Sequence, residues 1–187
     1  MQEKLRSHIE TIVPLTNDEF SFILSLFTVK RFKRNEFIIQ EGESVRYAYF
    51  VVSGLLKLTY TDDSGREHIV SFAMEEWWES DFQAFFKQTK ASMSLQCLED
   101  TIVLGLTLEN YEEMSLKVEK MRIFLIKMSN AGFIASQQRI VSLLTNNAKE
   151  RYEKMLKSYP ALFQRVSKTQ LAAYLGVSRE TLSRFSS

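Results

Sequence analysis

The sequence predicts an α+β fold with a β-rich N-terminal half followed by an all-helical part. Between residues 28 and 107, short runs rich in Val, Ile, Phe, Tyr and Thr alternate with turn signals about every ten residues, which is typical of a sandwich or barrel. After Thr107, a candidate helix cap, the only breakers are Gly132, Pro160 and Gly176. The charge divides in the same way: residues 1–115 hold 11 basic and 19 acidic side chains, and residues 116–187 hold 13 and 4.

The elements follow in order along the chain. A first helix is predicted after Thr16, because Thr16 and Glu19 fit a capping box and Leu15 and Phe20 fit the hydrophobic staple around it. Strands are predicted at 37–39, 47–52, 55–60, 68–74 and 102–106, with a hairpin turn at 62–65 and a short helix within 75–90. Two amphipathic helices are predicted at 118–138 and 139–158.

Cysteine and histidine usage argues against several kinds of site. Cys97, the single cysteine, is expected in the core, and His8 and His68 are far apart, so no structural zinc or iron site is expected. The sequence lacks HExxH, P-loop, dinucleotide and triad patterns, so no enzyme is predicted. An early run of charges and no long apolar stretch predict neither a secretory leader nor a membrane span, hence a cytoplasmic location.

The strongest functional signal lies at 166–185. Ser167 and Gln170 fit a capping box, so a helix begins near Lys168, Gly176 supplies the positive φ of a tight turn, and Ser178 caps the next helix. Counted from Lys168, the apolar positions 4, 8, 10, 15 and 18 and the small position 5 are Leu171, Leu175, Val177, Leu182, Phe185 and Ala172. This spacing predicts a helix-turn-helix that enters the DNA major groove, with an ordinary αα-hairpin as the alternative.

The second helix of this motif carries side chains suited to reading bases. Arg179 can donate two hydrogen bonds to guanine, Glu180 can accept one from cytosine, and Arg184 can reach another base or a phosphate. A surface ion pair between Glu180 and Arg184 is the alternative. Weaker candidates for phosphate contacts are Thr169, Gln170, Ser178 and Ser183.

Nearly the whole chain resembles the Crp/Fnr family of bacterial transcription regulators. The matching segments are FIIQEGE at 37–43, YFVVSG at 49–54, the hairpin at 62–69 and GVSRETLSR at 176–184. The resemblance implies an N-terminal double-stranded β-helix, or jelly-roll, of cyclic-nucleotide-binding type in 1–115. It further implies a long dimerisation helix in 116–138 and a helix-turn-helix DNA-binding domain in 139–187.

The same resemblance implies a homodimer on a near-palindromic double-stranded DNA site, with Arg179, Glu180 and Arg184 as the base readers. The acidic roll is then expected to sense a signal or to contact another protein, for which RNA polymerase is a candidate. The dimer contact is expected along the apolar stripe of the long helix, which consists of Val118, Met121, Phe124, Leu125 and Met128.

The chain departs from the cyclic-AMP-binding members of the family. Those members carry a Gly-Glu pair and, about ten residues on, an Arg that grips the cyclic phosphate. Residues 76–92 contain no Gly and no Arg, and nearby carboxylates would repel a phosphate. A cyclic nucleotide is not expected, no cofactor is required and the effector is left open. Another ligand could bind among the following residues, unless the aromatic ones simply fill the roll: Trp77, Trp78, Phe82, Phe85, Phe86 and Lys90.

The end of the sequence resembles a wingless branch of the family, for which fewer phosphate contacts are expected. The function predicted is a DNA-binding transcription regulator that does not respond to cyclic AMP. The alternative is a signalling or interaction protein that binds a cyclic nucleotide or other small ligand and whose DNA-binding half has degenerated.

Overall fold

Two four-stranded antiparallel sheets form the N-terminal half of the chain in the computed structural model, which describes residues 1–185. The strands are β1 Phe27–Phe32, β2 Phe37–Ile39, β3 Ala48–Ser53, β4 Leu56–Thr61, β5 Glu67–Ala73, β6 Trp78–Glu79, β7 Ser94–Cys97 and β8 Thr101–Leu106. One sheet has the order β1-β8-β3-β6 and the other β2-β7-β4-β5. Consecutive strands mostly alternate between the sheets, as in a jelly-roll, so the predicted roll is confirmed.

Helices precede the roll, interrupt it once and follow it to the end of the described chain. They are α1 Gln2–Glu10, α2 Asn17–Ser25, α3 Phe82–Lys87, α4 Leu108–Lys117, α5 Glu119–Thr145, α6 Ala148–Ser158, α7 Pro160–Arg165, α8 Lys168–Leu175 and α9 Arg179–Phe185. No helix in residues 1–185 combines the length and the apolar character that crossing a bilayer requires.

The caps predicted from the sequence are present. The Thr16 hydroxyl accepts from the Glu19 N–H at 3.2 Å and the Glu19 carboxylate accepts from the Thr16 N–H at 2.8 Å, which completes the capping box of α2. The Thr107 hydroxyl accepts from the Asn110 N–H at 3.1 Å and so caps α4. Helix α1 is not predicted from the sequence. Its buried residues are only Leu5 and Ile9, one turn apart, which is too few to show a helical periodicity.

The long helix α5 extends beyond its predicted end at Gln138 and continues to Thr145. The break falls instead at Asn146 and Asn147, where Asn147 and Glu150 form a capping box that starts α6. The boundary predicted between residues 138 and 139 is therefore wrong, because a capping asparagine ends the helix while the apolar periodicity runs on.

Three apolar clusters order the fold. The first lies between the β1-β8-β3-β6 sheet and helices α1, α2, α4 and α5, with Phe50 and Phe124 fully buried. The second fills the space between the two sheets and includes Cys97, so its predicted core position is confirmed. The third joins the outer face of the β2-β7-β4-β5 sheet to helices α6 to α9 through Leu55, Ile69 and Phe72, so the helical end of the chain packs directly on the roll.

The turn between β3 and β4 depends on Gly54. Its φ is +107°, and an added Cβ would lie 2.8 Å from the Thr101 Cα and 2.9 Å from the Asp100 carbonyl oxygen. Backbone atoms cannot move aside as a flexible side chain can. This glycine therefore allows β3 and β8 to remain paired where the chain crosses to the other sheet.

We predict that Gly54→Ala lowers the free energy of unfolding by about 3 kcal/mol, through left-handed backbone strain and the backbone clash together. Gly65→Ala is the matched control, since Gly65 also has a positive φ, +80°, but open space at its Cβ position. It should lose only about 1–2 kcal/mol. Urea unfolding followed by tryptophan fluorescence measures both, and equal losses would contradict the role of the clash.

Candidate nucleic-acid interface

The predicted helix-turn-helix is formed by α8 and α9. Ser167 and Gln170 make the capping box of α8, and Gly176 ends that helix with φ +68°. The Ser178 hydroxyl accepts from the Thr181 N–H at 3.1 Å and so caps α9. The predicted interior positions are confirmed, because Leu171, Ala172, Leu175 and Leu182 are buried and Val177 and Phe185 pack on them.

The side chains predicted to read bases share the outer face of α9. Arg179, Glu180 and Arg184 are exposed, whereas Leu182 on the opposite face is buried. Within residues 1–185 no ion pair joins Glu180 to Arg184. The pKa of Glu180 is nevertheless held below its usual value by hydrogen bonds from its own N–H and from Ser178, together with the charges of Arg179 and Arg184. Both guanidinium groups are therefore available to a partner on this face.

The other predicted polar residues lie on α8 and α9 or cap them. Ser178 and Gln170 are engaged in capping α9 and α8, which leaves them weaker candidates for phosphate contacts. Thr169 and Ser183 are exposed near these two helices.

Helices α6 to α9 form a helical unit, residues 148–185, that packs on the roll. A double ion pair fixes this helical unit to the roll. The Arg165 guanidinium, at the end of α7, contacts the Glu75 carboxylate at 2.7 Å and the Glu99 carboxylate at 2.7 Å. Burial opposes ionisation of Glu75, but hydrogen bonds from Arg165 and the Gly54 N–H outweigh it and bring the Glu75 pKa to about 2. Sequence reasoning missed this contact, because Arg165 lies 66 and 90 residues from its partners along the chain.

The long helix α5 is apolar on two opposite faces. The face predicted to contact a partner turns inward instead: Val118, Met121, Phe124 and Leu125 are buried in the first cluster, with Met128 packed against it. The prediction that these residues form the dimer contact is wrong, because they cover the chain's own roll. The large apolar side chains exposed on α5 are Ile123, Ile126, Phe133, Ile134, Ile140, Val141, Leu143 and Leu144.

Comparison with known proteins agrees with this architecture. Residues 29–117 match the sequence family described as the cyclic nucleotide-binding domain. The transcriptional activator protein Anr of Pseudomonas protegens is 28% identical over 81% of this chain and 66% of its own length. The anaerobic regulatory protein of Haemophilus influenzae is 24% identical over 83% of this chain and 64% of its own. The chain thus spans slightly less than two thirds of these relatives.

Solved structures share the fold over a larger part of the chain. FixK2 from Bradyrhizobium japonicum matches with a TM-score of 0.70 and 22% identity, over 85% of this chain and 82% of that one. The catabolite activator protein of Thermus thermophilus matches with a TM-score of 0.59 and 22% identity, over 91% and 82%. Over most of its length the chain is similar to transcription regulators of the Crp/Fnr type.

The roll does not fit a cyclic nucleotide. Asp81 is fully buried, and its carboxylate accepts from the Ala84 N–H, the Ser92 N–H and hydroxyl, and the Met93 N–H at 2.8–3.2 Å. These donors would suit a bound anion, but a carboxylate of the chain itself already uses them. A second anion beside Asp81 would be repelled. Residues 76–92 also contain no arginine that could hold a phosphate.

The residues predicted to line a ligand pocket do not come together. Trp77 packs edge-on against Tyr159 of the helical unit, at 5.2 Å between ring centroids, while Trp78 contacts Phe27 and Phe50. On α3, Phe85 is buried in the roll, whereas Phe82 and Phe86 stack on each other at the surface, and Lys90 is exposed. The predicted pocket is therefore wrong as a set, because successive residues of one short helix point to opposite sides. Nor can one buried cysteine hold an iron–sulfur cluster of four thiolates.

Glu79 lies in β6 of the roll, where it pairs with Tyr49 of β3. Its carboxyl is buried, accepts from the Ser71 hydroxyl at 2.5 Å and from the Ser80 N–H at 3.1 Å, and has a pKa that burial raises to about 7. Burial also raises the pKa of Tyr174 on α8, and the nearby Glu79 adds to this effect. Within residues 1–185, no cation is among the groups that shift the pKa of the buried Glu79 carboxyl.

We predict that the free energy of unfolding of the wild type falls as pH rises, because Glu79 loses its proton, and that Glu79→Gln does not show this fall. The folded state keeps this proton up to a pKa of about 7 and the unfolded chain releases it near 4.5, so rising pH favours unfolding between these values. The free energy of unfolding of the wild type should fall relative to the variant by up to about 3 kcal/mol between about pH 5 and pH 8. Glu112→Gln, at an exposed site, should not change the wild-type profile. Parallel pH profiles for wild type and Glu79→Gln would contradict the prediction.

Proposed function

We propose that this chain is a transcription regulator that binds a near-palindromic double-stranded DNA site as a homodimer, with α9 in the major groove. The observation that carries the proposal is the exposure of Arg179, Glu180 and Arg184 on one face of a capped helix whose other face is buried. Such a helix presents two arginines and a carboxylate to base edges without disturbing its own packing.

The charge distribution supports the same partner. Residues 116–187 carry 13 basic and 4 acidic side chains, and the remainder carries 11 and 19. DNA would therefore be attracted to the helical unit and repelled by the roll, which orients the protein as it approaches. A cytoplasmic location follows from this function, and RNA polymerase is the protein partner proposed for the acidic roll.

The outer face of α5 supports the homodimer. Ile126, Phe133 and Ile140 recur every seven residues, and Ile123, Asn130, Gln137 and Leu144 fill the intervening positions of the same seam. Alternating spacings of three and four residues are the pattern of two helices packed as a coiled coil. Phe133 is 64% exposed and Leu144 79% exposed, so this seam is uncovered in one chain. We propose that a second copy covers it and brings two α9 helices to successive major grooves, about 34 Å apart.

No cofactor enters the proposal. The second cluster and the Asp81 carboxylate fill the interior of the roll, so DNA binding by the purified protein should need no added nucleotide. Any effector would have to act on surfaces other than the predicted aromatic pocket.

We predict that Arg179→Ala combined with Arg184→Ala weakens operator binding by roughly 100-fold or more, since two base-reading or phosphate contacts are lost in each protomer. The operator is first obtained by recovering bound fragments from sheared genomic DNA with wild-type protein. Arg31→Ala combined with Arg66→Ala is the matched control, because it removes two exposed arginines from the roll. Equal weakening by both pairs would show that net charge alone drives binding and would sink the assignment to α9.

We predict that Phe133→Glu combined with Ile140→Glu converts a dimer into a monomer in sedimentation velocity, because four carboxylates would be buried along the seam. Ala131→Glu combined with Gln138→Glu adds the same charges seven residues apart on exposed positions outside the seam and should leave the dimer intact. A dimer that persists with both seam carboxylates in place would place the contact elsewhere.

A further inference from the structure

The last turn of α8 ends on two arginines that come from other helices. An α-helix leaves its last four carbonyl groups without partners in the helix. In α8 the Val177 N–H donates to the Ala172 oxygen at 3.0 Å, and the Gly176 N–H donates to the Ala173 oxygen at 3.2 Å. The remaining two oxygens, of residues 174 and 175, accept from guanidinium groups, so each of the four has a donor.

Arg139 of α5 supplies the first of these contacts. One of its terminal nitrogens (Nη2) donates to the Tyr174 oxygen at 3.1 Å and to the Ile69 oxygen of β5 at 3.2 Å. Its guanidinium also lies 3.6 Å from the centroid of the Tyr174 ring. A single side chain thus joins the long helix, the roll and the first helix of the helix-turn-helix.

Arg151 of α6 supplies the second. Its Nε donates to the Leu175 oxygen at 3.0 Å, and its Nη1 donates to the Asn146 oxygen, just beyond the end of α5, at 2.7 Å. The two donors belong to one rigid planar fork, so the spacing between these carbonyl groups is fixed by the guanidinium itself. The positive charges also suit the negative end of the α8 dipole.

These contacts lie immediately before the turn that leads into α9. In the proposed dimer the paired α5 helices define the two-fold axis, and the direction of α9 follows from that of α8 and Gly176. We propose that Arg139 and Arg151 are positioning residues that set the angle between the dimer helix and the recognition helix, and thereby the spacing of the two DNA half-sites. This inference rests on the proposed function; neither arginine touches DNA in it.

The first experiment measures a distance between α5 and α9 in the absence of DNA, because this distance changes with the angle between the two helices. Nitroxide labels at Lys127→Cys and Ser183→Cys report the distance between α5 and α9 by pulsed electron resonance, after dilution with unlabelled protein. Cys97 is fully buried and stays unlabelled. We expect one narrow distance distribution in the otherwise wild-type chain and a broadened or shifted one after Arg151→Met or Arg139→Met. Unchanged distributions in both variants would overturn the proposal, whether or not the protein binds DNA.

The second experiment measures the spacing preference. Operators that keep the selected half-sites but add or remove one or two central base pairs are titrated with each variant. We expect the ratio of affinities between the preferred and altered spacings to fall at least fivefold in Arg139→Met and Arg151→Met. A merely structural role would lower the active fraction for every operator and leave this ratio unchanged, which would also overturn the proposal.

Two further variants keep the test interpretable. Arg151→Lys retains a cation that can donate to one carbonyl and should recover part of the preference, including where Arg151→Met folds poorly. Arg122→Lys is the matched control, because the Arg122 Nε donates to the Ser115 oxygen at 2.8 Å, far along the chain from the helix-turn-helix. It should keep the wild-type ratio. Failure of every protein to bind DNA would refute the proposed function, while the distance measurement would still decide the role of the arginines.

Discussion

The burial of the helix-turn-helix against the roll is the constraint on which the rest of the structure depends. A domain of fewer than about 40 residues rarely folds without extra support, and residues 148–185 fall below that size. Leu55, Ile69 and Phe72 supply that support from the outer face of a sheet, and the Arg165 ion pairs with Glu75 and Glu99 close the edge of the contact. Because the unit shares a core with the roll, its fold depends on that contact.

Two different contacts explain why α5 is apolar on two opposite faces. One face packs on the outside of the β1-β8-β3-β6 sheet through Met121 and Phe124, and the opposite face carries the exposed seam with Phe133 and Leu144. A helix with a single apolar face could serve only one of these contacts. Asn130 and Gln137 lie within the seam. A polar residue at such a position favours the register in which it faces a polar residue of the partner helix, so these two residues would favour one alignment of the pair.

The roll keeps the architecture of a ligand-binding domain while its own side chains occupy the interior. The Asp81 carboxylate takes the backbone donors at the start of α3 and before β7, and the aromatic residues of this region disperse to the core, the surface and the helical unit. The roll meets α8 instead through Phe72 and Tyr174, whose ring centroids lie 5.1 Å apart.

The sequence by itself determined several helix caps, five of the eight strands described in residues 1–185 and the exposed polar face of α9. Capping boxes at Thr16 and Ser167, the left-handed glycine at 176 and the exposed arginines of α9 are local features, and each depends on residues within a few positions of one another. Only the tertiary structure decided which face of α5 is covered, where the aromatic residues of 77–86 point, and which arginines join the helical unit to the rest. Helical periodicity shows that a face is apolar but not what covers it, and the partners of Arg139 and Arg165 lie between 35 and 90 residues away in sequence. Contacts of that range are fixed by how the sheets and helices pack, so no local pattern in the sequence records them.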